Sequence, residues 1–219
     1  MALALAHPTH VLVPAHPANL PGILVVPRNA AGIVLFAHGS GSGRLSPRNQ
    51  FVASVLNKAG IGTLLFDLLT PHEADDRANV FDIRLLADRL LVAMRWVMSS
   101  ERGQNRAIGL FGASTGAAAA LVAAAEEPSV AAVVSRGGRP DLAMTQLASV
   151  RAPTLLIVGG DDPAVLDMNE DAYRVLACTK SLEVVPGATH LFEEPGALEQ
   201  VAALACAWFT RHLTREGGT

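Results

Sequence analysis

"LFGASTGAAAA", Leu110 to Ala120, sets a single serine, Ser114, between Gly112 and Gly116, at the end of an apolar run and the start of an alanine-rich one. Glycines two residues either side of a serine have two readings. One is a tight turn that needed small residues. The other is a nucleophile lifted on a strained strand-to-helix turn, where side chains at those two positions would collide. The pentapeptide fits G-x-S-x-G, and its flanks, strand-like before and helix-forming after, are those the second reading requires. The helix that follows would set its positive end near Ser114.

Working outward, apolar runs of strand length recur at Ile23–Val26, Ile33–Ala37, Thr63–Phe66, Ala107–Phe111, Val130–Val134, Thr154–Val158 and Leu182–Val185. From the second onward they read as strands buried on both faces, which predicts a mostly parallel sheet covered by helices. Helical spacing follows at Gln50–Ala59 and at about 82–99, 115–126, 164–177 and 196–213. Thr9–Val13 and Ile23–Val26 are expected to pair as an antiparallel edge. The fold class is α/β: a single domain over 1–219, three-layer and doubly wound, with helices on both faces of the sheet.

In such sheets functional groups gather at the carboxyl ends of the strands. Four polar, glycine-bearing stretches fall there: "HGSGSG" (38–43), "GASTG" (112–116), "GGDD" (159–162) and "GATH" (187–190). A serine hydroxyl needs a base to take its proton, and the base needs an acid to hold its tautomer. Ser114, then Asp162 and His190, supply the three in chain order. Asp161 and Asp162 also stand before Pro163, where an aspartate caps a helix, and His190 has the alternative of a loop histidine satisfied by a carbonyl. An oxyanion formed at Ser114 needs two donors. The backbone N–H of Thr115 is one, and Ser40, with Gly41 next, is chosen for the other. His38, Arg44, Arg48 and Asp67 are candidates for the mouth of the site, while His72, Glu73, Asp75 and Asp76 read as a solvated polar loop.

Composition removes other classes. The 219 residues carry a net charge of −3 and are 50% hydrophobic, leaving no basic footprint for nucleic acid or an anionic membrane. The apolar opening lacks a basic flank and is soon broken by prolines, so neither a signal peptide nor an anchor is expected. Two cysteines, Cys178 and Cys206, make no disulfide framework, and a cytoplasmic setting is expected. His7, His10 and His16 have no carboxylate or cysteine at ligand spacing, so no metal is expected. The glycine-rich turn and Asp67 loosely imitate a dinucleotide site. However, the third glycine of G-x-G-x-x-G would fall on Arg44 or Ser46, and no cofactor is expected.

With these residues in hand, the chain resembles the dienelactone-hydrolase-like branch of the α/β-hydrolase superfamily. The resemblance runs from "GIVLFAHGSGSG" through "IGLFGASTGAAAAL" and "PTLLIVGGDDPAV" to "VVPGATHLFEEPGALEQVA". It implies that the acid is the last residue of a G-x-x-D turn, Asp162, and that the base is His190. Dienelactone hydrolases proper have a cysteine at the elbow, whereas Ser114 stands here as in related esterases. Ser135–Asp141 is short where larger hydrolases insert a lid, which leads us to expect a lidless site. Arg136 and Arg139 within it could hold an acidic substrate, or pair with Asp141. The expected function is a serine hydrolase of small carboxylic esters, thioesters or lactones acting through an acyl-enzyme. The alternative is an accessory hydrolase-fold module that binds a partner such as a phosphoribosyltransferase, since proteins resembling this one are often fused to such domains. Nothing in the pattern fixes an oligomeric state.

Overall fold

The apolar runs assemble into one eight-stranded sheet in the computed structural model, which describes residues 7–213. Residues 1–6, the opening discussed above, lie outside them. The strands are β1 (Thr9–Ala15), β2 (Ala18–Val25), β3 (Gly32–Ala37), β4 (Gly62–Phe66), β5 (Ala107–Ala113), β6 (Val130–Arg136), β7 (Thr154–Gly159) and β8 (Lys180–Val185). Their order is β1-β2-β4-β3-β5-β6-β7-β8. β1 and β2 are antiparallel to their neighbours, as expected for the edge, and every other pairing is parallel. The chain leaves β3 toward one side of the sheet and later returns to β5 on the other. The switch point therefore lies between the ends of β3 and β5, where such sheets open a crevice.

The sheet divides two cores. Helices α4 (Ile83–Ser99), α5 (Thr115–Glu126) and α6 (Pro163–Val175) cover one, and α1 (Pro47–Lys58) and α7 (Ala197–His212) cover the other. α1 begins earlier than its apolar spacing predicts, because Pro47 follows Ser46, whose hydroxyl accepts from Asn49 N–H. On the α1/α7 side the Phe36 and Phe111 rings lie 4.8 Å apart. Gly109 makes room there for Phe209, whose ring edge would stand 2.7 Å from an added β-carbon. In the opposite core α5 is buried from Thr115 to Ala124, and its alanines let the helix seat closely on the sheet among the leucines of β2, β3, β4 and α4.

Two expectations need correction. Leu182–Val185 is not buried on both faces: β8 is the last strand, with a neighbour on one side only, and Val184 is 44% exposed. The polar stretch after β4 is solvated, with His72, Asp75 and Asp76 exposed, but it is not a loop. It forms two single turns, α2 (Pro71–Ala74) and α3 (Arg77–Val80), the first closed by a capping box between Thr70 and Glu73. Glu73 also accepts from the buried Arg89 of α4 at 2.7 Å, and Arg89 reaches the Ala15 carbonyl of β1.

The β5-to-α5 turn shows why its glycines are needed. A β-carbon at Gly112 would sit 2.7 Å from both Ala117 N and Gly116 O, and one at Gly116 would overlap the Ala37 and His38 carbonyls. Ser114 between them takes φ 52°, ψ −123°, a region costly for a residue with a side chain. Beneath the turn, His38 ties β3 to β4: its Nδ1–H donates to Gly39 O and its Nε2 accepts Leu68 N–H, both at 3.0 Å. Since a backbone N–H can only donate, the ring must be neutral with its proton on Nδ1. Burial lowers the His38 pKa below 6.5, more than the opposing Gly39 carbonyl and Asp67 charge raise it.

Gly116→Ala should cost about 2–3 kcal/mol or more in urea unfolding, since carbonyls cannot yield as side chains do. Gly41→Ala, where φ is +68° but space is open, should cost only about 1 kcal/mol. A lowered folded pKa means that His38 contributes its full stability above the unfolded value near 6.5 and loses it as pH falls toward the folded pKa. The urea midpoint of the wild type should thus drop between pH 7.5 and 5.5 by more than that of His38→Gln; equal drops would refute this role.

Candidate active site

Ser114 is fixed from three sides. Its N–H donates to Arg136 O (3.2 Å), and its carbonyl accepts from Ala117 N–H (3.0 Å) and Arg139 N–H (3.1 Å). The backbone of Gly39 presses against it, so that a β-carbon there would be 3.0 Å from Ser114 Cβ. Among the described residues the Ser114 hydroxyl has no hydrogen-bond partner.

Asp162 occupies the N-cap position of α6, yet its carboxylate makes no capping bond to the helix. Its Oδ2 instead accepts from His190 Nδ1 at 2.8 Å. The cap reading of Asp162 thus holds for the backbone and fails for the side chain. Gly159 allows this meeting: a β-carbon there would lie 2.8 Å from Thr189 O, so only glycine lets the β7 turn nest against the loop after β8. Asp161 N–H and Gly160 N–H complete the join, donating to Ala188 O and Val185 O. Phe192, buried and at φ 55°, anchors the histidine loop from below. A β-carbon on Gly137 would lie 3.6 Å from His190 Cε1, so Ser114 and His190 both pack on the Arg136–Arg139 connection.

The loop after β3 stands where the oxyanion donors were sought. Ser40 N–H donates to Thr115 Oγ1 at 3.1 Å, which brings the two chosen donor residues together. Both border a cavity of ≈ 290 Å³, whose lining also includes His38, Gly41 and Asp67 and the apolar Leu69, Ala74, Val80 and Leu86. α2 and α3 roof this cavity. No cluster of His, Cys, Asp or Glu able to hold a metal occurs among the described residues, and no described helix is long and apolar enough to cross a membrane.

The two candidate arginines part company. Arg139 is not free for a ligand: its guanidinium forks onto Asp141 through two bonds of 2.8 Å, and Asp141 raises its pKa. Arg136 is buried, 7% exposed, and its Nε and Nη1 meet no acceptor among the described residues. Burial, reinforced by the charge of Arg48, lowers its pKa to about 10, so it stays cationic at neutral pH. Of the mouth residues, Arg44 pairs with Asp67, and Arg48 pairs with Glu193 at 3.1 Å. Glu193 escaped the sequence reading, because its partner lies 145 residues away. So did Gly39 as the residue seated on Ser114, since one glycine of "HGSGSG" looks like another.

Known proteins agree with this architecture. A structure described as a dienelactone hydrolase from Anabaena variabilis is 55% identical, covering 96% of this chain and 100% of its own, with TM-score 0.93. Carboxyl esterase 2 from the fungus Tuber melanosporum, at 16% identity, shares the fold over 96% of this chain and 88% of its own, with TM-score 0.77. A Mycobacterium tuberculosis protein named "Putative phosphoribosyl transferase" is 60% identical over 208 residues, 94% of this chain. The chain spans 47% of that relative's length. The sequence profile of the dienelactone hydrolase family matches residues 51–214, the stretch that carries Ser114, Asp162 and His190. By that match, the chain belongs to the dienelactone hydrolase family.

Proposed function

We propose that the protein hydrolyses small carboxylic esters, thioesters or lactones through an acyl-enzyme on Ser114. The observation that carries this reading is the Asp162 carboxylate, which forgoes the helix end it sits on for His190 Nδ1. An N-cap aspartate ordinarily satisfies the helix's own N–H groups at a gain of about 1 kcal/mol. Spending it on an imidazole fixes the tautomer that leaves Nε2 free as a base.

In the first step His190 Nε2 takes the Ser114 proton as Oγ bonds to the substrate carbonyl carbon. Asp162 stabilises the imidazolium, and Thr115 N–H and Ser40 N–H hold the oxyanion, the latter turning from Thr115 Oγ1. Collapse of the tetrahedral adduct breaks the bond to the leaving group, which departs with the His190 proton. Water, deprotonated by the same histidine, then releases the acid and restores Ser114. The cavity beside Ser40 and Thr115 is small, with Leu69, Ala74, Val80 and Leu86 in its lining, and suits a short acyl chain.

The longer mycobacterial relative supports a second reading, in which this domain is an accessory module to a transferase. Activity separates the two. On chromogenic esters from acetate to octanoate, Ser114→Ala should lower kcat/KM by three orders of magnitude or more, with short chains preferred by the wild type. A loss of only a few-fold would remove the elbow as the nucleophile, and an inert wild type would favour the accessory reading. Asp162→Asn should lower kcat by about 10³–10⁴ with the unfolding midpoint little changed; a full-rate Asp162→Asn enzyme would unseat it as the acid.

A further inference from the structure

We propose that Arg136 and Arg48 form an anion-binding subsite beside the Ser114 elbow that takes a carboxylate or phosphate group of the substrate. The assignment of that anion to a substrate rests on the hydrolase reading above.

Arg136 ends β6, and its carbonyl holds the Ser114 N–H, so the residue adjoins the elbow directly. Its guanidinium is buried with two nitrogens that no described protein group accepts. The nearby carboxylates are committed elsewhere: Asp141 to Arg139, Asp67 to Arg44, Asp162 to His190 and Glu193 to Arg48. An unpaired buried cation is among the costliest groups a fold can keep, and an apolar side chain of like volume would be cheaper. Here the cost is increased by a second cation, since the charge of Arg48 acts on Arg136. Two like charges without a carboxylate between them are relieved when an anion arrives.

Arg48 is placed to share that anion. It stands in the first turn of α1, at the positive end of a twelve-residue helix, and its Nε also lacks a protein acceptor. Its one partner, Glu193, has a side chain that is 65% exposed, so the bridge is screened and readily exchanged. Glu193 follows Phe192, whose buried ring packs against Gly137, the residue after Arg136. The histidine loop thus holds a protein carboxylate on Arg48, where a ligand's oxyanion would take its place. An incoming anion exchanges with Glu193 and gains the unpaired donors of Arg136. Planar guanidinium forks fit both carboxylate and phosphate.

Two measurements on the full chain test this. Turnover compares 4-nitrophenyl hemisuccinate with 4-nitrophenyl butyrate, of similar size but without the acid. The ratio of their kcat/KM values should fall about tenfold or more in Arg136→Met and in Arg48→Gln, and rise in Glu193→Gln. An unchanged ratio in the arginine variants overturns the proposal; should Arg136→Met not fold, Arg48→Gln, at a part-exposed position, decides. Calorimetry on Ser114→Ala then titrates succinate and inorganic phosphate separately. Saturable binding of either, weakened about tenfold by Arg48→Gln, supports the subsite and identifies which oxyanion it takes; no saturation by either overturns it. Anion binding without ester turnover would refute the hydrolase reading and leave the subsite standing, while turnover without charge preference would do the reverse.

Discussion

Everything at this end of the molecule depends on how closely the turn after β5 can approach the end of β3. Ser114 keeps a backbone conformation that costs on the order of 1–3 kcal/mol, and it can do so because its surroundings leave no alternative. Gly112 and Gly116 remove the β-carbons that would push the turn away, Gly39 lets the neighbouring loop press on Ser114 Cβ, and three backbone hydrogen bonds fix the rest. The strain is local, and the parallel register of β3, β5 and β6 spreads its support over the centre of the sheet.

Asp162 and His190 are brought together by the same device at a second place. Gly159 lets the β7 turn lie against the loop that follows β8, and the carboxylate of Asp162 crosses that contact to His190. Both meeting points rely on glycines that let backbone approach a neighbouring segment closely. The connection from Arg136 to Arg139 links the two. It bonds to Ser114 on one side and packs against His190 on the other, so the arginine-bearing segment is also the scaffold of the site.

Much of this was legible in the sequence, for physical reasons. Continuous apolar runs mark parallel strands because both faces are covered, and the glycine pattern around Ser114 marks a turn no larger residue can make. The exposed edge β8 was misjudged because a short apolar run does not reveal how many neighbours its strand will have. The α2–α3 segment was read as a loop although its capping box is local, because the residue that ties it down, Arg89 on Glu73, belongs to another helix. The arginines could not be separated by reading alone. Asp141 stands two residues from Arg139 and within its reach, whereas the isolation of Arg136 is a property of the folded chain.

The cavity beside the elbow has walls of unequal stiffness. Its lining includes the buried Thr115 of α5 and Leu86 of α4, while the rest of it comes partly from two single helical turns with no buried residue. Such turns should open at far less than the global unfolding free energy, with the Glu73–Arg89 bridge as their tether. Because Arg89 also holds the Ala15 carbonyl, the tether is anchored to the antiparallel edge and not to the catalytic loops. Breathing of these two turns need then disturb neither the turn that carries Ser114 nor the contact between Asp162 and His190.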